Sequence, residues 1–346
     1  MATHTRNILV TGANRGLGFA LCARLLDLAT PASRIHLTMA CRDTAAGQQA
    51  AAGLLSAATH AEHVQVTVRR LDVADPTSIS ELVAELKATG EPLQLLVNNA
   101  GVYPTGKTRK VAFVPSADEQ EIAIENTFLT NYLGAANLTL RLLPLLRHSA
   151  SADGTPAGIV MVGSELYKYA PAAPICLPMP TDGGGVAAGV DASSYSAQNA
   201  YAVSKLAMMQ FSHYLNKHIL SQRAAARSRG VITVNACTPG FVPATNMAGI
   251  SEVWYERIVS TYLLPLLPFA RTIDQGTDSL LACCLLNEPS ADGVKDDSKA
   301  LVSGAYVKDG KVVATNPRSQ NEEEAQRLWE WTLAVLGIQG VDVPLG

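Results

Sequence analysis

The sequence predicts an α/β fold: a doubly wound, mostly parallel sheet with helices on both faces, in three layers. Three observations carry this. Short apolar runs alternate along the chain with longer stretches of helical periodicity. The first apolar run passes through three glycines, Gly12, Gly16 and Gly18, into a helix-like stretch, "NILVTGANRGLGFALCARLL". The 346-residue chain is 48% hydrophobic and only 16% charged, which is a globular composition able to build a large core.

The elements follow in order. Residues 8–11 read as the first strand and 16–29 as the first helix, with Phe19, Leu21, Leu25 and Leu26 at helical spacing. A second strand, 34–40, precedes an alanine-rich helix over 44–58. "VQVTVRRL" (64–71) alternates with period two as a third strand, and a helix over 78–88 follows. "LQLLV" (93–97) is a buried strand ending at "NNAG". The spacing then predicts one long helix over 119–146, bent at Gly134, a strand at 157–162, a helix over 201–218 and a strand at 231–236. Right-handed crossovers wind such a series into a Rossmann-like sheet.

The chain, 1–346, reads as a single such domain with three additions. An insert occupies 166–200; within it, 168–199 is rich in Pro, Gly, Ala and Ser and has no period, which marks a functional or disordered segment. Residues 246–275 contain "TYLLPLLPFA", an apolar stretch broken by Pro265 and Pro268, read as a loop or lid. A C-terminal extension, 287–346, holds a hairpin-like "SGAYVKDGKVVA" and a final helix, "NEEEAQRLWEWTLAVLG". There Glu322, Glu323 and Glu324 suit the positive end of the helix dipole, and Trp329 and Trp331 read as packing anchors.

A formal net charge of −3 provides no basic field for nucleic acid. No apolar run approaches the ~18 residues of a membrane span, and the N-terminus lacks a signal-peptide core. The chain therefore reads as soluble and cytoplasmic, with a small molecule as partner. The six cysteines are scattered without a Cys-x-x-Cys pair, so no metal site or disulfide framework is expected; Cys22 and Cys237 read as buried thiols.

The spacing Gly12-x-x-x-Gly16-x-Gly18 sits between a strand and a helix. A helix N-terminus offers unpaired N–H groups and partial positive charge, and glycines admit an anion close to the backbone. Tight strand–helix turns also use glycine simply for packing. At the first βα turn, however, this loop stands where a dinucleotide binds. The second strand ends "TMACRD", with uncharged Cys41 and then Arg42 where an acidic residue would select NAD. Arg15, inside the loop, and Arg42 would favour the extra phosphate of NADP(H), unless Asp43 claims Arg42 or both are solvated surface charges.

In "NAYAVSKLAMM", Tyr201 and Lys205 share one helix face. A neighbouring ammonium stabilises a phenolate and brings tyrosine towards use as a general acid/base. With these pieces in place, the chain resembles a short-chain dehydrogenase/reductase. The matching stretches are "TGANRGLG" (11–18), "LDV" (71–73), "NNAG" (98–101), "TNYLG" (130–134), "VGS" (162–164), "YAVSK" (201–205) and "PG" (239–240), in the family's order and covering roughly 7 to 250. The opening and "CRD" are similar to carbonyl reductases and retinol dehydrogenases, and the tail more weakly resembles retinol dehydrogenases and protochlorophyllide reductases.

The resemblance implies roles. Tyr201 would be the general acid/base, Lys205 would lower its pKa and hold the nicotinamide ribose, and Ser164 would hydrogen-bond the substrate oxygen. Asn131 would hold a water relaying protons through Lys205. Thr11, Gly12, Asn14, Arg15, Gly16, Leu17 and Gly18 would form the phosphate loop. Asp72 would meet the adenine with Val73 beside it. Asn98, Asn99, Ala100 and Gly101 would brace the central strand and the ribose. Pro239, Gly240, Val242 and Thr245 would line the nicotinamide end.

Two departures stand out: Gly163 replaces the usual small polar residue before the serine, and the stretch from Ser164 to Tyr201 is longer than the family core. Carbonyl reductases carry such an insert, which can obstruct the helix pairing by which relatives assemble, so the chain is expected as a monomer or a homodimer. Glu165, Tyr167 and Tyr169 either face the substrate or pack the loop, and His213 and His218 are not expected to be catalytic.

The apolar 246–275 stretch suits an apolar substrate. The function so read is NADP(H)-dependent reduction of an apolar ketone or aldehyde, or oxidation of the corresponding alcohol. The alternatives are a non-redox dehydration, isomerisation or cyclisation on the same scaffold, and a non-catalytic NADP-binding sensor.

Overall fold

Ten strands and seven principal helices carry the described part of a computed structural model, which covers residues 4–104, 110–115, 121–152, 156–178, 187–220, 231–243, 270–286 and 302–338. The strands are β1 (His4–Thr11), β2 (Ser33–Cys41), β3 (Val64–Arg70), β4 (Leu95–Asn98), β5 (Val111–Pro115), β6 (Glu121–Glu125), β7 (Ala157–Val162), β8 (Ile232–Thr238), β9 (Tyr306–Lys308) and β10 (Lys311–Val313). The helices are α1 (Gly16–Leu26), α2 (Thr44–Ala57), α3 (Pro76–Thr89), α4 (Gly134–Ala152), α5 (Ala197–Tyr214), α6 (Ile273–Leu285) and α7 (Glu322–Leu336). Eight strands form one sheet in the order β10-β9-β8-β7-β4-β1-β2-β3. All its neighbours are parallel except the β9–β10 hairpin. The strand order reverses between β1 and β4, where a parallel sheet opens a crevice at its carboxyl edge.

The apolar runs are continuous because helices cover both faces: every residue of β7 and β8 is buried. On one face Leu21 and Leu25 of α1 and Leu280 of α6 pack against Val10, Leu37 and Val97. On the other, Ile79, Leu138, Leu142 and Leu206 of α3, α4 and α5 pack against Leu9 and Leu96. Gly134 at the head of α4 allows its close approach to the sheet, since a Cβ there would collide with the carbonyl of Val73.

The helix expected over 119–146 is corrected. "EIAIE" alternates with period two, and Glu121–Glu125 is β6, paired antiparallel with β5. The helical run starts at Asn126, where the Glu125 carboxylate accepts from the backbone N–H of Phe128 at 2.9 Å and from the Thr127 hydroxyl at 2.8 Å. A π-helical turn, Leu129–Leu133, stands immediately before Gly134.

The insert is tied down rather than structureless. It opens with a 3₁₀ turn, Glu165–Tyr169; Cys176 and Gly189 exchange backbone hydrogen bonds; and Ala188 donates to Ala123 O of β6 at 2.8 Å. From outside, the Arg318 guanidinium donates to Ala173 O, Arg327 to Ile175 O and the Trp331 indole to Pro178 O, each at 2.8 Å. Residues 179–186 lie outside the described residues, as do 244–269, which take in most of the expected lid, and Thr245 with it. The last residues of that stretch, 273–275, are the first turn of α6, capped by Thr272 in a reciprocal pair with Gln275.

The tail hairpin forms at Asp309-Gly310, both with positive φ, and β9 joins the main sheet beside β8. Helix α7 is capped by Asn321 and ended by left-handed Gly337. It lies over α5. Trp329 stacks on Phe211 at 5.5 Å and Tyr214 at 5.2 Å, and Trp331 meets Phe128 edge-on at 6.1 Å. At its first turn Glu322 receives hydrogen bonds from His213, Lys217 and His218, which hold its carboxyl down at about 2. No described helix is long and apolar enough to cross a membrane.

Trp329 is 5% exposed, so Trp329→Ala leaves a large cavity under α7. Urea unfolding should show a loss of about 3–5 kcal/mol; a loss below about 1 kcal/mol would mean that α7 is not part of the cooperative fold.

Candidate active site

The crevice is framed by the exits of β1 and β4. Beneath it the Thr11 hydroxyl accepts from the backbone N–H of Asn99 at 3.0 Å and of Ala100 at 2.9 Å, and donates to Val97 O at 3.3 Å. In return the Asn99 side-chain amide donates to Thr11 O at 2.8 Å and Gly12 O at 3.2 Å. Gly12 and Gly16 have positive φ, and a Cβ on Gly18 would run into Gly12 O. The loop therefore turns tightly onto the α1 N-terminus and leaves its N–H groups facing the crevice.

The cavity there has a volume of about 920 Å³. Its walls include Gly12, Asn14, Arg15, Gly16, Leu17 and Gly18 from the loop, Arg42 beyond β2, Asp72 and Val73 beyond β3, and Asn99, Ala100 and Gly101 beyond β4. Thr11 and Asn98 brace from behind; Asn98 donates to the Thr139 hydroxyl at 2.9 Å and is 4% exposed. Asp43 uses its carboxylate to cap α2, accepting from Ala46 N at 2.9 Å, and so is not committed to Arg42. Both Arg15 and Arg42 are exposed and line the cavity. This cradle, with glycines where side chains would collide and two cations on its lining, fits a dinucleotide. Of the residues assigned to the other end, Pro239 and Gly240 follow β8, with Gly240 at positive φ. Val242 is 7% exposed and turns its side chain to Gly276 of α6.

Helix α5 carries Tyr201 and Lys205 on one face, with Lys205 Nζ 5.7 Å from the phenol ring centroid. The Ser164 side chain lies beside the Tyr201 hydroxyl, where it favours the phenolate and offsets part of the effect of burial. Ser164 itself caps the 3₁₀ turn after β7, accepting from Leu166 N at 3.3 Å. Lys205 donates to Val162 O at 2.8 Å. In the π-helical turn, Asn131 accepts from Val102 N at 2.7 Å and donates to Val102 O at 2.9 Å and to the Ser204 hydroxyl at 3.0 Å. A Cβ on Gly101 would lie 3.2 Å from Asn131 Oδ1 and 3.6 Å from Lys205 Nζ, so both groups converge over that glycine.

The electrostatics differ from the simplest reading of the Tyr–Lys spacing. Burial pushes the Tyr201 phenol up to about 12, offset only in part by Ser164 and raised further by Tyr103, while burial brings the Lys205 ammonium down to about 8. Desolvation disfavours both charged forms and outweighs the ammonium's pull on the phenol, since Lys205 is turned to a backbone carbonyl. The resting phenol is thus protonated.

Two participants escape a motif reading. Tyr103 lines the cavity and lays its ring 5.0 Å from that of Tyr201; its only sequence signal is its place just after "NNAG". Ser204, inside "YAVSK", is fully buried and joins Asn131 to the Tyr201 carbonyl, to which it donates at 2.8 Å. Of the residues past Ser164, Tyr167 is buried and accepts from Asn316 N, and Glu165 turns to the C-terminal extension, so both pack the loop. Tyr169 is 66% exposed. His213 and His218 bind Glu322 at the far end of α5. Among the described residues no group of three His, Cys, Asp or Glu is placed to hold a metal ion.

Known proteins share these features. The family model for short chain dehydrogenase matches residues 6–173. Mouse retinol dehydrogenase 14 is 31% identical over 350 residues, spanning 97% of this chain and 87% of that protein. Two solved structures share the fold. NADPH-bound carbonyl reductase from chicken fatty liver has 23% identity and a TM-score of 0.52, over 90% of this chain and 95% of that one. NADH-dependent reductase A1-R′ complexed with NAD has 15% identity and a TM-score of 0.55, over 90% and 98%.

Proposed function

The chain belongs to the short-chain dehydrogenase/reductase family of oxidoreductases, and from that premise we propose that it is an NADP(H)-dependent enzyme that reduces an apolar ketone or aldehyde, or oxidises the corresponding alcohol, with Tyr201 as general acid/base. The observation that supports this most is the Tyr201 hydroxyl beside the Ser164 side chain next to the glycine-lined crevice, with Lys205 on the same helix face. The nicotinamide, when bound, supplies or accepts the hydride. The chain does the rest. Ser164 and Tyr201 hold the substrate oxygen between two hydroxyls, and Tyr201 gives that oxygen its proton as a carbonyl becomes an alcohol. Lys205 keeps two N–H donors beyond the one it gives Val162 O, and these serve the nicotinamide ribose. Asn131 fixes the floor of the site and holds the route by which Tyr201 is reprotonated.

Burial that keeps the phenol protonated favours the reductive direction. Arg15 and Arg42 argue for NADP(H): the scaffold itself admits either nucleotide, as the NADPH-bound chicken reductase and the NAD-bound reductase A1-R′ illustrate, so local charge decides. The name retinol dehydrogenase, carried by the relative from mouse, points to a long apolar alcohol, in keeping with Tyr103, Ala112, Leu129 and Tyr195 on the wall beyond Gly101. We further propose a monomer, because α7 and the insert it straps cover the outward side of α5.

Five outcomes test these proposals. Tyr201→Phe should cut turnover about 10²- to 10⁴-fold while NADPH affinity holds; unimpaired carbonyl reduction would remove the acid role. In the wild type, oxidation should accelerate from about pH 6 to about pH 9 as the phenol deprotonates more often, while reduction should not lose rate through Tyr201 over that window. NADPH binding with no carbonyl-dependent oxidation would leave the non-redox and sensor alternatives. Arg42→Asp should lower the NADPH-over-NADH preference in kcat/KM by about ten- to a hundredfold, and an unchanged ratio would make Arg42 a bystander. Light scattering should give the mass of one chain; a dimer mass would place the interface elsewhere.

A further inference from the structure

One cluster near the site plays no part in the chemistry above. Just past Ser164, the Glu165 carboxylate accepts from Lys168 Nζ at 2.8 Å, Lys308 Nζ at 3.1 Å and the Tyr306 hydroxyl at 3.0 Å. Tyr306 and Lys308 are two apart on β9, so they share a sheet face. Tyr306 is 1% exposed, and its ring meets Tyr167 edge-on at 5.8 Å. The side chain of Thr238, the last residue of β8, lies beside the Tyr306 hydroxyl. The Thr238 hydroxyl in turn accepts from the N–H of Gly240 at 3.2 Å. Three strand ends meet here: β7, which delivers Ser164; β8, which delivers the Pro239–Gly240 turn; and β9, which brings neither but touches both.

The groups beside the cluster act with it. Gly163 donates to Cys237 O at 2.7 Å, and a Cβ at Gly163 would lie 3.1 Å from that oxygen and 3.7 Å from the Tyr306 ring. The residue before Ser164 is therefore pressed between β8 and Tyr306, which accounts for a glycine there. Glu165 is held in its charged form by Lys168, Lys308 and Tyr306, and burial keeps the Tyr306 phenol neutral, a donor to the carboxylate.

We propose that Glu165 and Tyr306 are positioning residues that set the spacing between the Ser164 hydroxyl and the Pro239–Gly240 turn, and so between the substrate oxygen and the nicotinamide seat. This rests on the oxidoreductase reading above. Glu165 pulls the first turn after β7 towards β9, and that turn is the one whose N–H fixes Ser164 Oγ. Tyr306 passes the same constraint to Gly240 through Thr238. Hydride transfer is steep in donor–acceptor distance, so a small drift between these walls costs rate rather than nucleotide affinity.

The test uses the full chain with Tyr306→Phe, Glu165→Gln and Lys308→Met, the last at a partly exposed site in case the buried changes impair folding. Two readouts are taken: the emission of bound NADPH, and the single-turnover rate of NADPH oxidation by a carbonyl that the wild type reduces. A single-turnover rate constant does not depend on the fraction of folded enzyme, so a merely structural defect leaves it unmoved. Tyr306→Phe and Glu165→Gln are expected to slow that step about tenfold or more and to shift bound-NADPH emission towards that of free nucleotide, with NADPH dissociation constants within about threefold of wild type. Lys308→Met should show the same effects more weakly. Rate and emission both equal to wild type would overturn the proposal. If wild type binds NADPH but oxidises it with no carbonyl, the oxidoreductase reading falls and the emission comparison alone decides the positioning role. Failure of wild type to bind NADPH would overturn both.

Discussion

A single threonine hydroxyl holds the crevice open. Thr11 ends β1 at the point where strand order reverses, and Asn99 and Ala100 leave β4 beside it. Neither strand can hydrogen-bond its neighbour past that edge, because the two connections depart towards opposite faces of the sheet. Thr11 Oγ1 meets this deficit with two acceptances and one donation, and the Asn99 amide returns the brace to the glycine loop. The glycine turn, the exposed N–H groups at the head of α1, and the asparagine-rich β4 exit all take their places from this junction. Loss of the hydroxyl would leave the partly buried N–H of Ala100 without this acceptor and the N–H of Asn99 with Val97 O alone, a larger cost than the bond itself is worth.

Burial governs the chemistry on the other wall. Tyr201 and Lys205 sit 5% and 3% exposed, so each is pushed towards its neutral form. A protonated phenol forms no ion pair with the Lys205 ammonium at rest. The protein instead stores a proton on the phenol and orients its hydroxyl with Ser164. Lys205, meanwhile, is anchored by a backbone carbonyl that does not titrate. Such a pair changes character when a hydrated or hydrogen-bonding ligand alters the local polarity, which links occupancy of the crevice to the acidity of Tyr201.

Most of the sheet was legible because parallel strands buried on both faces announce themselves as apolar runs, and turn residues bracket them. Thus β7 falls on 157–162 as expected, and α2 and α3 lie within a residue or two of expectation. The failure at 119–146 has a physical cause: "EIAIE" has the right period for a strand, but its partner, β5, is too short and irregular in sequence to signal a hairpin. The insert was opaque for another reason. Its order comes from distant donors, Arg318, Arg327 and Trp331, and no local pattern in 168–199 encodes them. Tyr167 and Glu165 likewise have partners more than a hundred residues away. The motif residues were found because each stands in a short recognisable stretch, although their partners lie across the fold, whereas Tyr103 acts on Tyr201 from outside any such stretch and leaves no spacing to read.

The C-terminal extension grips the rest of the fold at two places, helix α5 and the strand exits, and the two grips differ in kind. At one end α7 covers α5 with aromatic contacts, Trp329 on Phe211 and Tyr214, a broad apolar bond that tolerates small displacements. At the other end β9 reaches the strand exits through directional hydrogen bonds from Tyr306 and Lys308, which tolerate little. Apolar burial supplies the energy of attachment, and the polar hub supplies the angle. A sheet of β1 to β8 alone would have the glycine loop, Ser164, Tyr201 and Lys205, yet its β8 edge would be unpaired and its last turn unsupported. Among the described residues the extension adds to the direct Gly163–Cys237 bond between the Ser164 and Gly240 walls a second tie, since β9 pairs with β8 and its Tyr306 hydroxyl donates to Glu165 just past Ser164.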